Sequence, residues 1–164
     1  MYNKKTIKYF KNLKHFGSIK NANGIGKAGN IICGDFMILY LKIEKKKNKE
    51  IIKDIKFQTY GCLAAIATSS VVCELAKGKE IKKALEITNQ KINEILGGLP
   101  PIKTHCSLLA VDALKEAIYD YLKKNNKEIP DDLEENHKRI LKEQEIIEKK
   151  LKILAENASK KDKK

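Results

Sequence analysis

At residue 61 the apolar residues change their period, and that change restricts the chain to one fold class. Upstream, "FMILYLKIE" (36–44) and "IIKDIKFQTY" (51–60) are short runs rich in β-branched and aromatic residues, joined by the charged turn "KKKNKE" with its Asn48. In the second run Ile52, Ile55 and Phe57 stand against Ile51, Asp54, Lys56 and Gln58, an imperfect alternation that predicts an antiparallel pair with one buried face. Downstream the period is helical. "CLAAIATSSVVCELAKG" predicts a helix stopped by Gly78, with positions 66, 72, 73 and 76 turned to a core. Short helices follow over 80–88 and 89–98, the second ending in Gly-Gly. "LPPIK" then breaks the chain into an extended segment, because each proline moves the residue before it out of the helical region. "HCSLLAVDALKEAIYDYLKK" is a long amphipathic helix, apolar at 108, 109, 113, 114, 117, 118, 121 and 122. Strands first and helices after predict an α+β domain, a small antiparallel sheet with helices packed on it.

The two ends are less regular. Residues 2–12 are weakly helical through Tyr2, Ile7, Tyr9 and Phe10. "GSIKNANGIGKAGN" (17–30) holds four of the nine glycines and reads as a mobile segment. Its "GIGKAG" lacks the Ser or Thr that a phosphate loop places after the lysine. Residues 131–158 are highly charged, with one narrow stripe of Leu133, Ile140, Leu141, Ile147, Leu151 and Leu154, and Asp131 and Asp132 suit that helix's start. The basic tail "SKKDKK" reads as disordered.

Length and composition exclude whole classes. The chain has 164 residues, enough for a domain with a sizeable core, and no apolar run approaches the roughly 20 residues a membrane helix needs. Its start lacks the apolar stretch of a secretory signal, so the expected setting is cytoplasmic and the four cysteines are expected to be thiols or metal ligands rather than disulfides. Of the net charge of +13, ten units lie in residues 1–56, none in 57–121 and three in 122–164. A basic end of this kind suits an acidic protein surface. It is a poor match for nucleic acid, because its lysines are scattered and few aromatic residues lie among them.

Three cysteines carry the chemistry. Cys33 enters the first long strand, Cys62 stands at the junction of strand and helix, and Cys106 lies in the first turn of its helix. A helix start offers free N–H groups and a positive dipole end, so the backbone is expected to lower the thiol pKa of Cys62 and Cys106. The separations, 29 and 44 residues, are far from the close pairs of a zinc knuckle, and any site must be assembled by the fold. Asp35 and His105 lie beside Cys33 and Cys106 as further donors. Three thiolates with a carboxylate or imidazole suit zinc or iron–sulfur chemistry. Cys73, mid-helix among valines, reads as core, and His15 and His137 as surface or packing residues.

The segments "CGD" (33–35), "YGCLAAIATSSVV" (60–72) and "LPPIKTHCSLLAVDALKEAIYDY" (99–121) resemble the IscU/NifU-type iron–sulfur cluster assembly scaffolds, and the opening "YNKKTIKYFKNLKHFGSI" is similar to that family's first segment. The likeness covers about residues 2–124. It implies three antiparallel strands with helices on one face. It implies a scaffold rather than an enzyme with turnover of its own: a transient 2Fe–2S cluster is assembled and passed to ferredoxin and other apo iron–sulfur proteins. Cys33, Cys62 and Cys106 would be ligands, with Asp35 or His105 as the fourth. Cys106 would accept persulfide sulfur from a cysteine desulfurase, and Asp35 would keep the cluster labile. Leu99, Pro100, Pro101, Ile102 and Lys103 match the segment an Hsp70-type chaperone grips. The family as usually met has glycine after the second cysteine, where this chain has Leu63. Residues 1–124 would form the scaffold domain, and 125–164 a charged helical extension that docks on it or mediates homo-oligomer formation. The rival is a SufU-like zinc protein that accepts and passes on sulfur, with Zn²⁺ held by Asp35 and the three cysteines. Proteins of that kind carry an insertion between the second and third cysteines and lack the histidine, whereas this chain has a short gap and His105. A structural zinc domain on a basic binding module is a third reading, in which loss of Cys106 unfolds the chain.

Overall fold

The computed structural model describes residues 1–30 and 34–161. Helix α1 (Lys4–Lys11) leads to strand β1 (Gly24–Asn30), then β2 (Asp35–Lys46) and β3 (Lys49–Tyr60). The helices α2 (Leu63–Ala76), α3 (Ile81–Ala84), α4 (Asn89–Leu96), α5 (His105–Lys124) and α6 (Asp131–Lys161) follow. The sheet is antiparallel in the order β1-β2-β3.

The β2–β3 hairpin turns on Lys47 and Asn48, both left-handed with φ of 48° and 61°. This is the two-residue geometry whose twist matches the strands, and Asn48 tolerates it well. Pairing shifts between Lys42 and Ile43. The extra residue explains the broken alternation of the second run. Ile55 and Phe57 on one side of the shift and Ile52 on the other all reach the same buried face, beside Met37, Leu39, Leu41 and Ile43.

The glycine-rich stretch is the main departure from the sequence reading. Part of the segment expected to be mobile is strand β1, and the reason is steric. A side chain at Gly26 would place its Cβ 2.1 Å from the Ala113 carbonyl oxygen and 2.3 Å from the Ala117 nitrogen of α5. The glycines let the backbone of α5 lie directly on β1, a contact no larger residue permits. The phosphate-loop likeness ends there too, since "GIGKAG" is strand.

Helix α2 is buried on most of its surface by small residues. Val72, Cys73 and Ala76 are core as expected, Ile66 is half-buried, and Ala64, Ala65, Ala67, Thr68, Ser69 and Ser70 are buried as well. Ser69 and Ser70 return their hydroxyls to the carbonyls of Ala65 and Ile66, which satisfies polar groups inside an apolar layer. The "LPPIK" segment is not extended throughout, because Pro101–Lys103 form a 3₁₀ turn in which the Lys103 N–H bonds the Pro100 carbonyl.

Helix α6 runs antiparallel along α5. Leu133 and Ile140 are buried, the His137 ring stacks on Tyr119 with centroids 3.9 Å apart, and Arg139 meets Asp112 at 2.8 Å. His137 is therefore a packing residue. Leu141, Leu151 and Ile153 remain exposed. The helix continues to Lys161, into the stretch read as disordered, because no breaker follows Pro130.

Candidate metal centre

Three elements deliver their ends to one point. Asp35 opens β2, Cys62 is the N-cap of α2, and His105 and Cys106 form the first turn of α5. The Asp35 carboxylate is the hub. Its Oδ1 accepts the Cys62 N–H at 3.2 Å, and its Oδ2 lies 3.4 Å from the Cys106 sulfur, 3.8 Å from the Cys62 sulfur and 3.9 Å from His105 Nε2. The two sulfurs are 3.9 Å apart, and Cys106 Sγ is 3.6 Å from His105 Nε2. Donor atoms of Asp35, His105 and Cys106 all lie within 4.8 Å of one another. Cys33 lies outside the described residues. It is two positions from Asp35 in the chain.

Burial is graded across the group. Asp35 and Cys106 are buried, Cys62 and His105 half-buried. Burial pushes the Cys106 thiol far up, and the neighbouring Cys62 and Asp35 push it in the same direction. This overturns the expectation that the helix start lowers it. A dipole acting through the first turn is worth less than removal from water beside a carboxylate and a second sulfur. In the metal-free chain Cys106 is a thiol, and a divalent ion is what would displace its proton. A buried carboxylate facing two sulfurs and an imidazole fits such an ion by its donor chemistry.

Smaller features hold the group in place. A Cβ on Gly61 would come within 2.9 Å of Asp35 Oδ1, so glycine is what lets the carboxylate reach the Cys62 amide. Thr68 Oγ1 donates to the Cys106 carbonyl at 3.2 Å, tying α2 to the first turn of α5. Sequence reasoning missed Tyr2. Its hydroxyl is raised first by burial and then by the neighbouring Cys62. The only signal was an aromatic residue in a weakly helical segment. The Lys103 ammonium also faces the group, and Cys62 is the main influence holding its proton. Of the "LPPIK" residues, Pro101 and Ile102 are exposed, Ile102 at 78%.

Fold and site together define a small α+β domain that gathers thiols, a carboxylate and an imidazole at the ends of three elements. Its relatives are consistent with that chemistry. The family model described as the NifU-like N terminal domain matches residues 1–128, and the chain belongs to this family. It is 52% identical over 127 residues to the iron–sulfur cluster assembly scaffold protein IscU 1 of Archaeoglobus fulgidus, covering 77% of this chain and 80% of that one. The scaffold protein IscU of Aquifex aeolicus is 42% identical over 143 residues, covering 84% and 90%. Among solved structures, a protein from Fervidobacterium islandicum, described as a candidate iron–sulfur cluster assembly scaffold for the SUF system, superposes with a TM-score of 0.59 at 27% identity, over 71% of this chain and 96% of that one. A NifU-like N-terminal domain from Brucella abortus, 16% identical, shares the fold with a TM-score of 0.56, over 74% and 94%.

Proposed function

We propose that this protein is a scaffold on which a 2Fe–2S cluster is assembled and from which it is passed to ferredoxin and other apo-proteins. The convergence of Asp35, Cys62, His105 and Cys106 within 3.4–3.9 Å contacts carries the reading. The scaffold names of its relatives, IscU among them, support it. Residues 1–124 carry this activity, and the extension that follows them docks through the first half of α6. Cys33, Cys62 and Cys106 supply thiolates, with Asp35 or His105 as the poorer fourth donor. Three strong ligands and one weak one hold a cluster that must also leave.

Sulfur arrives as a persulfide on a cysteine desulfurase. Once the Cys106 thiol has given up its proton, its sulfur attacks the outer sulfur, the desulfurase cysteine departs as its thiolate, and Cys106 carries the new sulfur–sulfur bond. Because Cys106 is buried beneath His105 and Asp35, this step requires the first turn of α5 to open. Reduction to sulfide then takes two electrons per sulfur from an external donor. The exposed Pro101 and Ile102 are the grip for an Hsp70-type chaperone that would open the same turn. The cytoplasm, where thiols stay reduced, is the fitting compartment.

Anaerobic reconstitution with ferrous iron, cysteine, a cysteine desulfurase and a reductant tests this. Visible absorbance and bound iron and sulfide should show one cluster on the native chain and none on Cys106→Ser. Asp35→Ala should keep its cluster longer when apo-ferredoxin is added, because the exchangeable donor is gone. A chain that binds only zinc and carries a persulfide would instead be a SufU-like sulfur carrier with Zn²⁺ at Asp35 and the cysteines.

A further inference from the structure

The two edges of the sheet are finished differently. The β3 edge is closed by neighbouring chain. Phe57 exchanges backbone hydrogen bonds with His15 and Gly17 at 2.9 and 2.8 Å, and Ile52 does so with Lys79 and Gly78 at the same distances. On the β1 edge the Ile25 N–H donates to the Asp120 carboxylate at 2.9 Å. That bond shows that the Ile25 amide points away from β2. By strand alternation the amides of Lys27 and Gly29 point the same way, and among the described residues neither meets an acceptor. Such an edge is a template for another strand.

A cleft of about 600 Å³ lies along this edge, between β1 on one side and α5 and α6 on the other, lined in part by Ile25, Lys27, Tyr119, Lys123, His137 and Gln144. Its acids are already engaged. Asp120 takes Lys124 at 2.7 Å as well as the Ile25 amide, and Glu116 takes His137 at 2.8 Å. Its remaining cations are not. No described acid pairs with Lys27, and Lys123 stands over the Tyr119 ring at 5.5 Å. An incoming strand therefore meets positive charge beside unpaired amides.

We propose that the free edge of β1 is a docking site for an extended, acidic segment of a partner protein, which adds to the sheet as a fourth strand within this cleft. Lys27 has two effects. Antiparallel pairing of β1 with β1 of a second copy, centred at residue 27, would set lysine against lysine, so self-association along this edge is disfavoured. An acidic strand places carboxylates opposite the same side chain, with Lys123 at the rim of the cleft. The site lies along the sheet's edge, and the wall contributed by His137 and Gln144 belongs to α6, outside the matched family region.

The probe is a labelled ten-residue peptide of alternating glutamate and valine, titrated into the full chain and followed by anisotropy and amide hydrogen exchange. We expect saturable binding that weakens as salt rises, with the Lys27 and Gly29 amides gaining protection while Ile25 is unchanged. Lys27→Pro removes the outward N–H and should weaken binding by about tenfold or more. The double variant Lys27→Glu with Lys123→Glu keeps the strand intact and should reverse the preference toward an alternating lysine–valine peptide. Absence of binding by the acidic peptide, or binding that leaves the two amides unprotected, overturns the proposal.

Discussion

At the scale of single residues, Asp35 does more than its position beside Cys33 announces. Its two oxygens reach an amide, two sulfurs and an imidazole, and its charge helps keep Cys106 protonated. Neutralising that charge removes one of the influences that raise the thiol. Asp35→Asn should therefore speed alkylation of metal-free Cys106 by iodoacetamide on the order of tenfold at pH 7, with buried Cys73 as the unreactive control in the same mass spectrum. An unchanged rate would remove Asp35 from the control of that thiol. Sequence alone named Asp35, Cys62, His105 and Cys106 because their side chains are the usual protein ligands of metals and sit at element boundaries. It could not see the sign of the Cys106 shift, since burial depends on how α2, α5 and β2 close over the sulfur. Nor could it find Tyr2, whose role depends on a contact across sixty positions of chain.

At the scale of elements, the legible parts were those whose packing needs one face. The hairpin of β2 and β3, the long α5 and the charged α6 follow from their own periodicities. Strand β1 did not, because its glycines carry no pattern of their own and are explained only by the backbone of α5 lying against them. That contact is testable. Gly26→Ala forces the helix off the strand and should cost about 3 kcal/mol of unfolding free energy, whereas Lys27→Ala, one residue on and exposed, should stay within about 0.5. Chemical denaturation of the two variants decides it, and equal costs would mean that the helix can move away freely. Helix α6 divides in the same way. Leu133→Ala removes a buried anchor and should cost about 2–3 kcal/mol, while Leu151→Ala, on the exposed part, should cost almost nothing. Similar losses at both positions would show that the second half of α6 is covered in solution.

At the scale of the whole molecule, one ion pair ties the far end of the hairpin to the end of α5. Glu50 beside the β2–β3 turn accepts the Tyr121 hydroxyl at 2.8 Å and pairs with Lys127 in the segment leading to α6. Burial opposes ionisation of Glu50, but the bonds from Lys127 and Tyr121 outweigh it and hold its carboxyl below the usual range. A lowered carboxylate pKa adds stability that is fully present above the unfolded value, about 4.3, and is lost as the pH falls through the folded value. Glu50→Gln should lower stability by about 1 kcal/mol at pH 7 and leave it nearly unchanged at pH 3. Melting curves at the two pH values test this, and a loss that persists in acid would assign the effect to packing instead. None of this clasp could be read from the sequence, because a glutamate in a lysine-rich turn looks like any other surface charge.

The spacing of the two sulfurs at 3.9 Å has a further consequence, for handling. A closing movement of roughly 2 Å would bring the Cys62 and Cys106 sulfurs to disulfide bond length. Air is therefore an antagonist of this chain. A preparation that has stood unprotected should lose two titratable thiols together, and a mild dithiol should restore both.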